Sequence, residues 1–248
     1  MVGVTVKSAK ELASMREAGQ VVAVTKAVLR DALRPGIVTA ELDRLAEKEI
    51  RRHGAEPSFK GLYGFPATIC VSLNEQVVHG IPSDRVVRAG DVISVDVGAV
   101  VGGFHADSAF TVGVGTISDE AQRLIDATRE SLERGIAEAK AGARIGDISA
   151  AVQSHAEALQ YGVVRQYVGH GIGRDLHEDP QVPNFGTAGR GPLLHEGMTL
   201  AIEPMLNIGT WETEVLDDNW TVVTADGSLS AHFEDTIAIT ANGPELLT

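Results

Sequence analysis

Four acidic residues interrupt apolar, strand-like segments that hold no basic residue to neutralise them. Asp96 lies in 91–101, Asp107 in 104–114, Glu203 in 198–208 and Glu234 in 229–240, and none of these segments contains Lys or Arg. Carboxylates left unpaired in apolar strands are costly, so a purely structural account needs four cations close by. Divalent metal is the economical alternative, and it requires a fold that brings the four segments together.

Side-chain alternation places the acids on defined faces. Asp96 projects away from the Ile93, Val95 and Val97 face, and Asp107 shares a face with His105, opposite Ala106 and Phe110. A hairpin turning between Val101 and Gly102 sets Asp96 directly opposite Asp107, an arrangement that destabilises a sheet unless something positive sits between them. A register differing by a residue or two leaves the acids merely flanking a turn. Glu203 precedes Pro204, which cannot donate to a ladder and so marks an edge or a strand end. In 229–239, read as one strand, Leu229, Ala231, Phe233, Ile237 and Ile239 share one face, with Ser230, His232, Glu234 and Thr236 on the other.

Helical spacing governs the rest. Ser8 to Glu11 forms a capping box ahead of Leu12, Met15, Gly19, Val22, Leu29 and Leu33, and Pro35-Gly36 stops that helix. A second helix opens near Thr39 and ends at Gly54; strand-like segments follow at 67–73, 91–101 and 104–114. The series then restarts, with one helix from Ser118 to Ala141-Gly142 and another from Asp147 to Gly162. Gly36 and Gly142, like Leu42 and Ile148, stand 106 residues apart, and the Gly90–Asp96 frame recurs 107 residues later at Gly197–Glu203. Such a constant offset reads as an internal duplication. The expectation is one α+β domain over 1–248, with pseudo-twofold halves at about 8–115 and 116–240 and a site between them.

With 248 residues, 44% hydrophobic and 22% charged, the chain can bury a core unaided. A formal charge of -13 gives no global drive toward nucleic acid or anionic lipid. One cysteine excludes an internal disulfide and, with a start that lacks a secretory signal, fits a reducing cytosol; no apolar run is long enough to span a membrane. Gly169-His-Gly-Ile-Gly173 lacks GxGxxG spacing, and no HExxH, GxSxG or P-loop occurs.

His170 lies in that same stretch, where glycines permit close backbone approach and leave the imidazole free to enter a cavity. Four carboxylates and one imidazole balance two divalent ions and suit Mn²⁺, Fe²⁺, Co²⁺ or Zn²⁺ better than Mg²⁺ or Ca²⁺. Two such ions roughly 3.5–4 Å apart perform hydrolytic chemistry.

The strings NEQVVHGIP (74–82), ISVDVGA (93–99), HADSAFTV (105–112), YVGHGIGRDLHEDP (167–180), TLAIEPM (199–205) and DNWTVVTADGSLSAHFEDT (218–236) together resemble methionine aminopeptidases of the bacterial type I class, which have the pita-bread fold. The resemblance covers about residues 8–240 in order. It implies a curved antiparallel sheet covered by helices, and removal of initiator methionine ahead of a small second residue by attack of metal-activated hydroxide on the first peptide bond. It implies two divalent ions, with Asp96 on one, Asp107 and Glu234 bridging, and His170 and Glu203 on the other. It further implies that His79 sits over the substrate's leading residue, that His177 donates to the scissile carbonyl and that Glu203 assists proton transfer. Without the resemblance, His79 and His177 read as surface or capping residues.

By the same resemblance Phe59, Leu62, Phe65, Cys70, Leu176 and Trp220 form the methionine pocket, although ordinary core packing accounts for these positions equally well. The chain departs from its relatives in carrying leucines at 62 and 176, where aromatics are common, and His232 in place of an amide. The implied partners are nascent polypeptides near the ribosome, and the expected form is a cytoplasmic monomer. An Xaa-Pro peptidase of the same fold is the nearest rival, disfavoured because the first helix begins near residue 8 and leaves no room for its usual extra domain. A non-catalytic relative is disfavoured because every ligand is present.

Overall fold

The structure, a computed structural model, describes residues 3–248; Met1 and Val2, included in the expected domain, lie outside them. Helix α1 (Ala9–Ala32) starts on a reciprocal cap in which the Ser8 hydroxyl accepts from the Glu11 N–H and the Glu11 carboxylate accepts from the Ser8 N–H. Two donors that no helical carbonyl could reach are thereby satisfied. Helix α2 (Thr39–Arg52) follows the Pro35-Gly36 turn. Helices α3 (Asp119–Glu138) and α4 (Ile145–Ala158) repeat the pair. α4 opens two residues earlier than the spacing predicts, because the Asp147 carboxylate reaches back to the Arg144 N–H.

Seven strands build the main sheet: β1 (Ile69–Leu73), β2 (Val92–Val101), β3 (Phe104–Gly113), β4 (Gly169–Gly171), β5 (Glu178–Val182), β6 (Thr199–Ile202) and β7 (Glu234–Thr240). They run antiparallel in the order β1-β2-β3-β7-β6-β4-β5, and short strands Glu56–Pro57 and Gly243–Leu246 pair with β2 and β7. The order β1-β2-β3 is mirrored by β4-β6-β7 about the β3–β7 junction. With α1-α2 preceding one set and α3-α4 the other, the predicted duplication is visible as an approximate two-fold. Its equivalent strands β2 and β6 are those of the Gly90–Asp96 and Gly197–Glu203 frames.

One face of the sheet carries the core. Ile93, Val95 and Val97 are fully buried in a cluster with Val22, Leu29, Leu42 and Ile50 from the first helix pair. Phe110 is also fully buried, with the Arg30 guanidinium 4.4 Å above its ring. The opposite face carries the acids.

Two expectations are corrected. The β2–β3 hairpin turns through Gly102-Gly103, both at positive φ, so Val101 pairs with Phe104 rather than Gly102. Asp96 therefore faces Ala109, and Asp107 faces Gly98. Two consecutive left-handed residues match the right-handed strand twist, which is why the glycine pair takes the loop. The shift is by two residues, so both acids keep their common face. The segments around Glu203 and Glu234 are not continuous strands either. β6 ends at Ile202 and β7 begins at Glu234, while Met205–Asn207 and Ser230–His232 pair in a separate sheet. The chain changes sheets at Pro204 and Phe233, immediately beside the two acids.

Because Phe110 is packed on all sides, Phe110→Ala should lower stability by about 3–5 kcal/mol, read as a fall in the urea midpoint at unchanged slope.

Candidate metal centre

Strand register brings the predicted donors onto two adjacent rows. Across the first run Cys70, Asp96, Ala109 and Glu234, each paired with the next; Glu203, one residue beyond the last β6–β7 pair at Ile202 and Asp235, continues this row. The second runs from Gly98 and Asp107 to Ala201 and His170, with Thr236 between the two pairs: it pairs with Ala201, accepts the Asp107 N–H at 3.1 Å and donates to the Asp107 main-chain oxygen at 2.8 Å. Residues paired across antiparallel strands point the same way, so all five donors occupy one face. The small residues Gly98, Ala109 and Ala201 leave the space between them open.

One ligand atom each from Asp107, His170 and Glu234 lie within 4.8 Å of one another. His170 Nε2 is 3.7 Å from Asp107 Oδ2 and 3.6 Å from Glu203 Oε1. Two ligands each about 2.1 Å from one ion are separated by about 3–3.7 Å. The His170 Nδ1 lies 2.9 Å from the Gly171 carbonyl, which can only accept, so the proton sits on Nδ1 and Nε2 presents a lone pair. That lone pair faces carboxylate oxygens, and Asp96 Oδ1 is buried with no hydrogen-bond partner. Acceptors turned toward acceptors need a cation, and this donor set fits divalent metal.

The electrostatics agree. Burial and then Asp107 push Asp96 well above the ordinary carboxylate range, and burial followed by neighbouring carboxylates does the same to Glu203 and Glu234. Burial raises Asp107 to about 6. His170 falls to about 4, chiefly through burial.

The rows floor a cavity of about 520 Å³ whose lining includes all thirteen predicted site residues. His79 contacts Tyr167 and Trp220 edge-on, and burial lowers it to about 4. His177 stands exposed on the rim, 4.5 Å edge-to-face from the His170 ring; the protein packed beneath it and then His170 lower it to about 4. Both imidazoles are neutral near pH 7 and carry one N–H each. Phe59, Phe65, Cys70 and Leu176 are buried in one apolar cluster, with Leu62 and Trp220 packed on it. A Cβ on Gly98 would come within 2.6 Å of the Phe59 ring, so the bare backbone there admits that ring over the sheet. Burial, and then Asp96, raise the Cys70 thiol, which stays protonated.

Three further residues help form this site. Thr236 ties Asp107 in place, and its position on the Glu234 face was legible from alternation. Tyr167 and Tyr63 wall the cavity, Tyr63 parallel to the His177 ring at 6.2 Å; no pattern in the sequence marks either. His232 is buried with Nε2 unpartnered, 3.9 Å from Glu203 Oε2.

The sequence pattern of metallopeptidase family M24 matches residues 13–241. The chain belongs to that family. Within it, the methionine aminopeptidase of Clostridium perfringens is 55% identical over 99% of this chain and 98% of its own length, and methionine aminopeptidase 1 of Bacillus subtilis is 54% identical over 98% of each. The crystal structure of the Thermotoga maritima methionine aminopeptidase superposes with a TM-score of 0.98 at 46% identity, covering 99% of both chains. A prolidase from Pyrococcus furiosus, 22% identical with a TM-score of 0.81 and 65% of its chain covered, shares the fold alone. The curved, helix-covered sheet of this M24 peptidase is thus the pita-bread fold.

Asp107 gives the charge cluster a measurable signature. Raised to about 6 in the folded state, against about 3.9 unfolded, it binds more protons when folded within that window. Its stabilising contribution is complete below the window and is lost as pH rises through it. In metal-free protein at pH 8, Asp107→Asn should therefore raise stability by about 1–3 kcal/mol, read from urea unfolding, and should remove the stabilisation that Mn²⁺ gives the parent.

Proposed function

We infer that this protein removes methionine from the N-terminus of peptides and nascent polypeptides. The observation that carries the reading is the juxtaposition of two donor rows with an apolar-walled part of one cavity, in a chain of family M24 more than half identical to methionine aminopeptidases over nearly its whole length. Residues 1–248 act as one catalytic unit, because each half contributes donors.

Asp96, Asp107, His170, Glu203 and Glu234 would hold two divalent ions, whose four positive charges match the four carboxylates; Mn²⁺, Fe²⁺, Co²⁺ and Zn²⁺ all suit this set. Bound there, the ions supply Lewis-acid polarisation of the first carbonyl and acidification of a water. The side chains do the rest. Phe59, Leu62, Phe65, Cys70, Leu176 and Trp220 receive the methionine side chain, whose burial stabilises the complex by roughly 1.5–3 kcal/mol. His79, in the cavity wall, orients the leading residue. His177 directs its N–H at the carbonyl oxygen as negative charge develops there, and Glu203 takes the proton of the attacking water and returns it to the departing amine. The free amine of the substrate would be held at the donor rows, which limits cleavage to the first residue. Preference for a small second residue belongs to the same family reading.

No helix among the described residues is long and apolar enough to cross a membrane. The proposed setting is the cytoplasm, acting as a monomer on chains leaving the ribosome.

Chelation should abolish hydrolysis of Met-Ala-Ser, and Mn²⁺ or Co²⁺ should restore it; turnover persisting after verified metal removal refutes the mechanism. In the same assay Ala-Pro-Ser should not be cut, and its preferential cleavage would favour an Xaa-Pro peptidase instead. Leu62→Tyr and Leu176→Phe should each change the discrimination between methionine and other first residues by about tenfold in kcat/KM; unchanged profiles would remove these leucines from the specificity pocket.

A further inference from the structure

The segment preceding α1 contains a charge that neither the core nor the donor rows explain. Lys7 is buried, and its ammonium donates to Glu178 Oε2 at 2.5 Å across 171 residues of sequence, with the two side chains only 5% and 7% exposed. The Thr5 hydroxyl donates to the same oxygen at 2.5 Å, and Lys7 also contacts Thr5. The main chain is fixed too: the Lys7 N–H donates to the Gly197 carbonyl at 2.8 Å, and a Cβ on Gly197 would lie 2.7 Å from Val6 Cγ1.

The other oxygen of Glu178 faces the turn that leads to His177. It accepts the Arg174 N–H at 2.8 Å and the Asp175 N–H at 3.4 Å. Gly173 lies on the ion pair itself, since a Cβ there would fall 2.5 Å from both Glu178 Oε1 and Lys7 Cε. From the other side the His105 N–H donates to the Gly173 carbonyl at 2.8 Å. One carboxylate therefore joins segment 5–7 to turn 173–175, and the next two residues before it are His177 on the rim and Leu176 in the pocket wall. Burial pushes the Glu178 carboxyl up, and hydrogen bonds from Lys7 and Thr5 more than reverse this, holding it below its usual value.

A buried ion pair is a poor source of net stability, because apolar residues of similar volume commonly do as well, whereas removing one partner is expensive. Its geometric effect is specific: two oxygens, each engaged on a different side, fix where the turn lies. We propose that Lys7 and Thr5, acting through Glu178, are positioning residues that hold His177 with its N–H directed at the scissile carbonyl. The proposal rests on the donor role of His177 given above. The donors stand on β2, β3, β4 and β7 and just past the end of β6, and the strap's side chains make no hydrogen bond to them. Glu178 pairs with Gly171, beside His170, so the test reads metal affinity separately from the rate of reaction.

The test uses the full-length, Mn²⁺-loaded enzyme with Met-Ala-Ser. Lys7→Met should lower kcat by about tenfold to a hundredfold, the range that a small misplacement of a reacting group produces, with KM and the calorimetric Mn²⁺ affinity within about threefold of the parent. Lys7→Arg should recover most of the rate, and Thr5→Val, which removes one donor and keeps the shape, should lower kcat several-fold. In metal-free protein the ring resonances of His177 should shift and broaden in Lys7→Met while those of His53 stay unchanged. In a His177→Ala background Lys7→Met should have no further effect on kcat. Multiplicative losses in that double variant, with His177→Ala alone impaired, overturn the strap and spare the donor role. Native kcat in His177→Ala overturns both. Native kcat and unshifted His177 resonances in Lys7→Met and Thr5→Val overturn the strap alone.

Discussion

The burial of four carboxylates close together on one sheet face is the constraint around which this molecule is arranged. Burial raises Asp96, Asp107, Glu203 and Glu234 alike, and neighbouring carboxylates add to the rise at Asp96, Glu203 and Glu234. The opposing sheet face supplies the rigidity that holds them: Ile93, Val95 and Val97 are locked under the helices, and the same alternation that buries them forces Asp96 outward. Core and charge cluster are two sides of one strand, so neither can be re-registered without the other.

Duplication explains why the site stands where it does. Each half brings one acid on or just past an inner strand and one on the strand at the junction: Asp96 and Asp107 from the first, Glu203 and Glu234 from the second. Joining β3 to β7 completes a row that neither half contains alone. The departure from symmetry is His170, which sits on β4 beside Ala201. An imidazole there adds a donor without adding negative charge, keeping the set at the four charges that the two proposed divalent ions would neutralise.

Much of this was legible in the sequence, for identifiable reasons. Period-two alternation fixes the face of Asp96 and Asp107 whatever the register, and a slip of two residues leaves that face unchanged; this is why the misplaced turn did not misplace the site. The register itself was hidden because Val101-Gly102 and Gly102-Gly103 both look like turns, and only backbone twist separates them. The breaks at Pro204 and Phe233 were half visible: proline announces one, whereas Phe233 reads as an ordinary inward residue of a continuous strand. That His79, His177 and the pocket residues meet in one cavity was visible only through resemblance, because a lone imidazole in a loop has no local pattern. Lys7 was invisible altogether, since its partner lies 171 residues away.

Gly98 carries a last consequence. The aromatic ring of Phe59 rests where a side chain on that strand would otherwise stand, so the outline of the cavity proposed to take methionine is shared between a residue that intrudes and a residue that withdraws. Selection on what the chamber admits acts on such couples, and a bulkier occupant at 98 becomes tolerable only once 59 has shrunk. Changes of appetite in this lineage should travel in compensated steps, each passing through an intermediate that is either cramped or hollow.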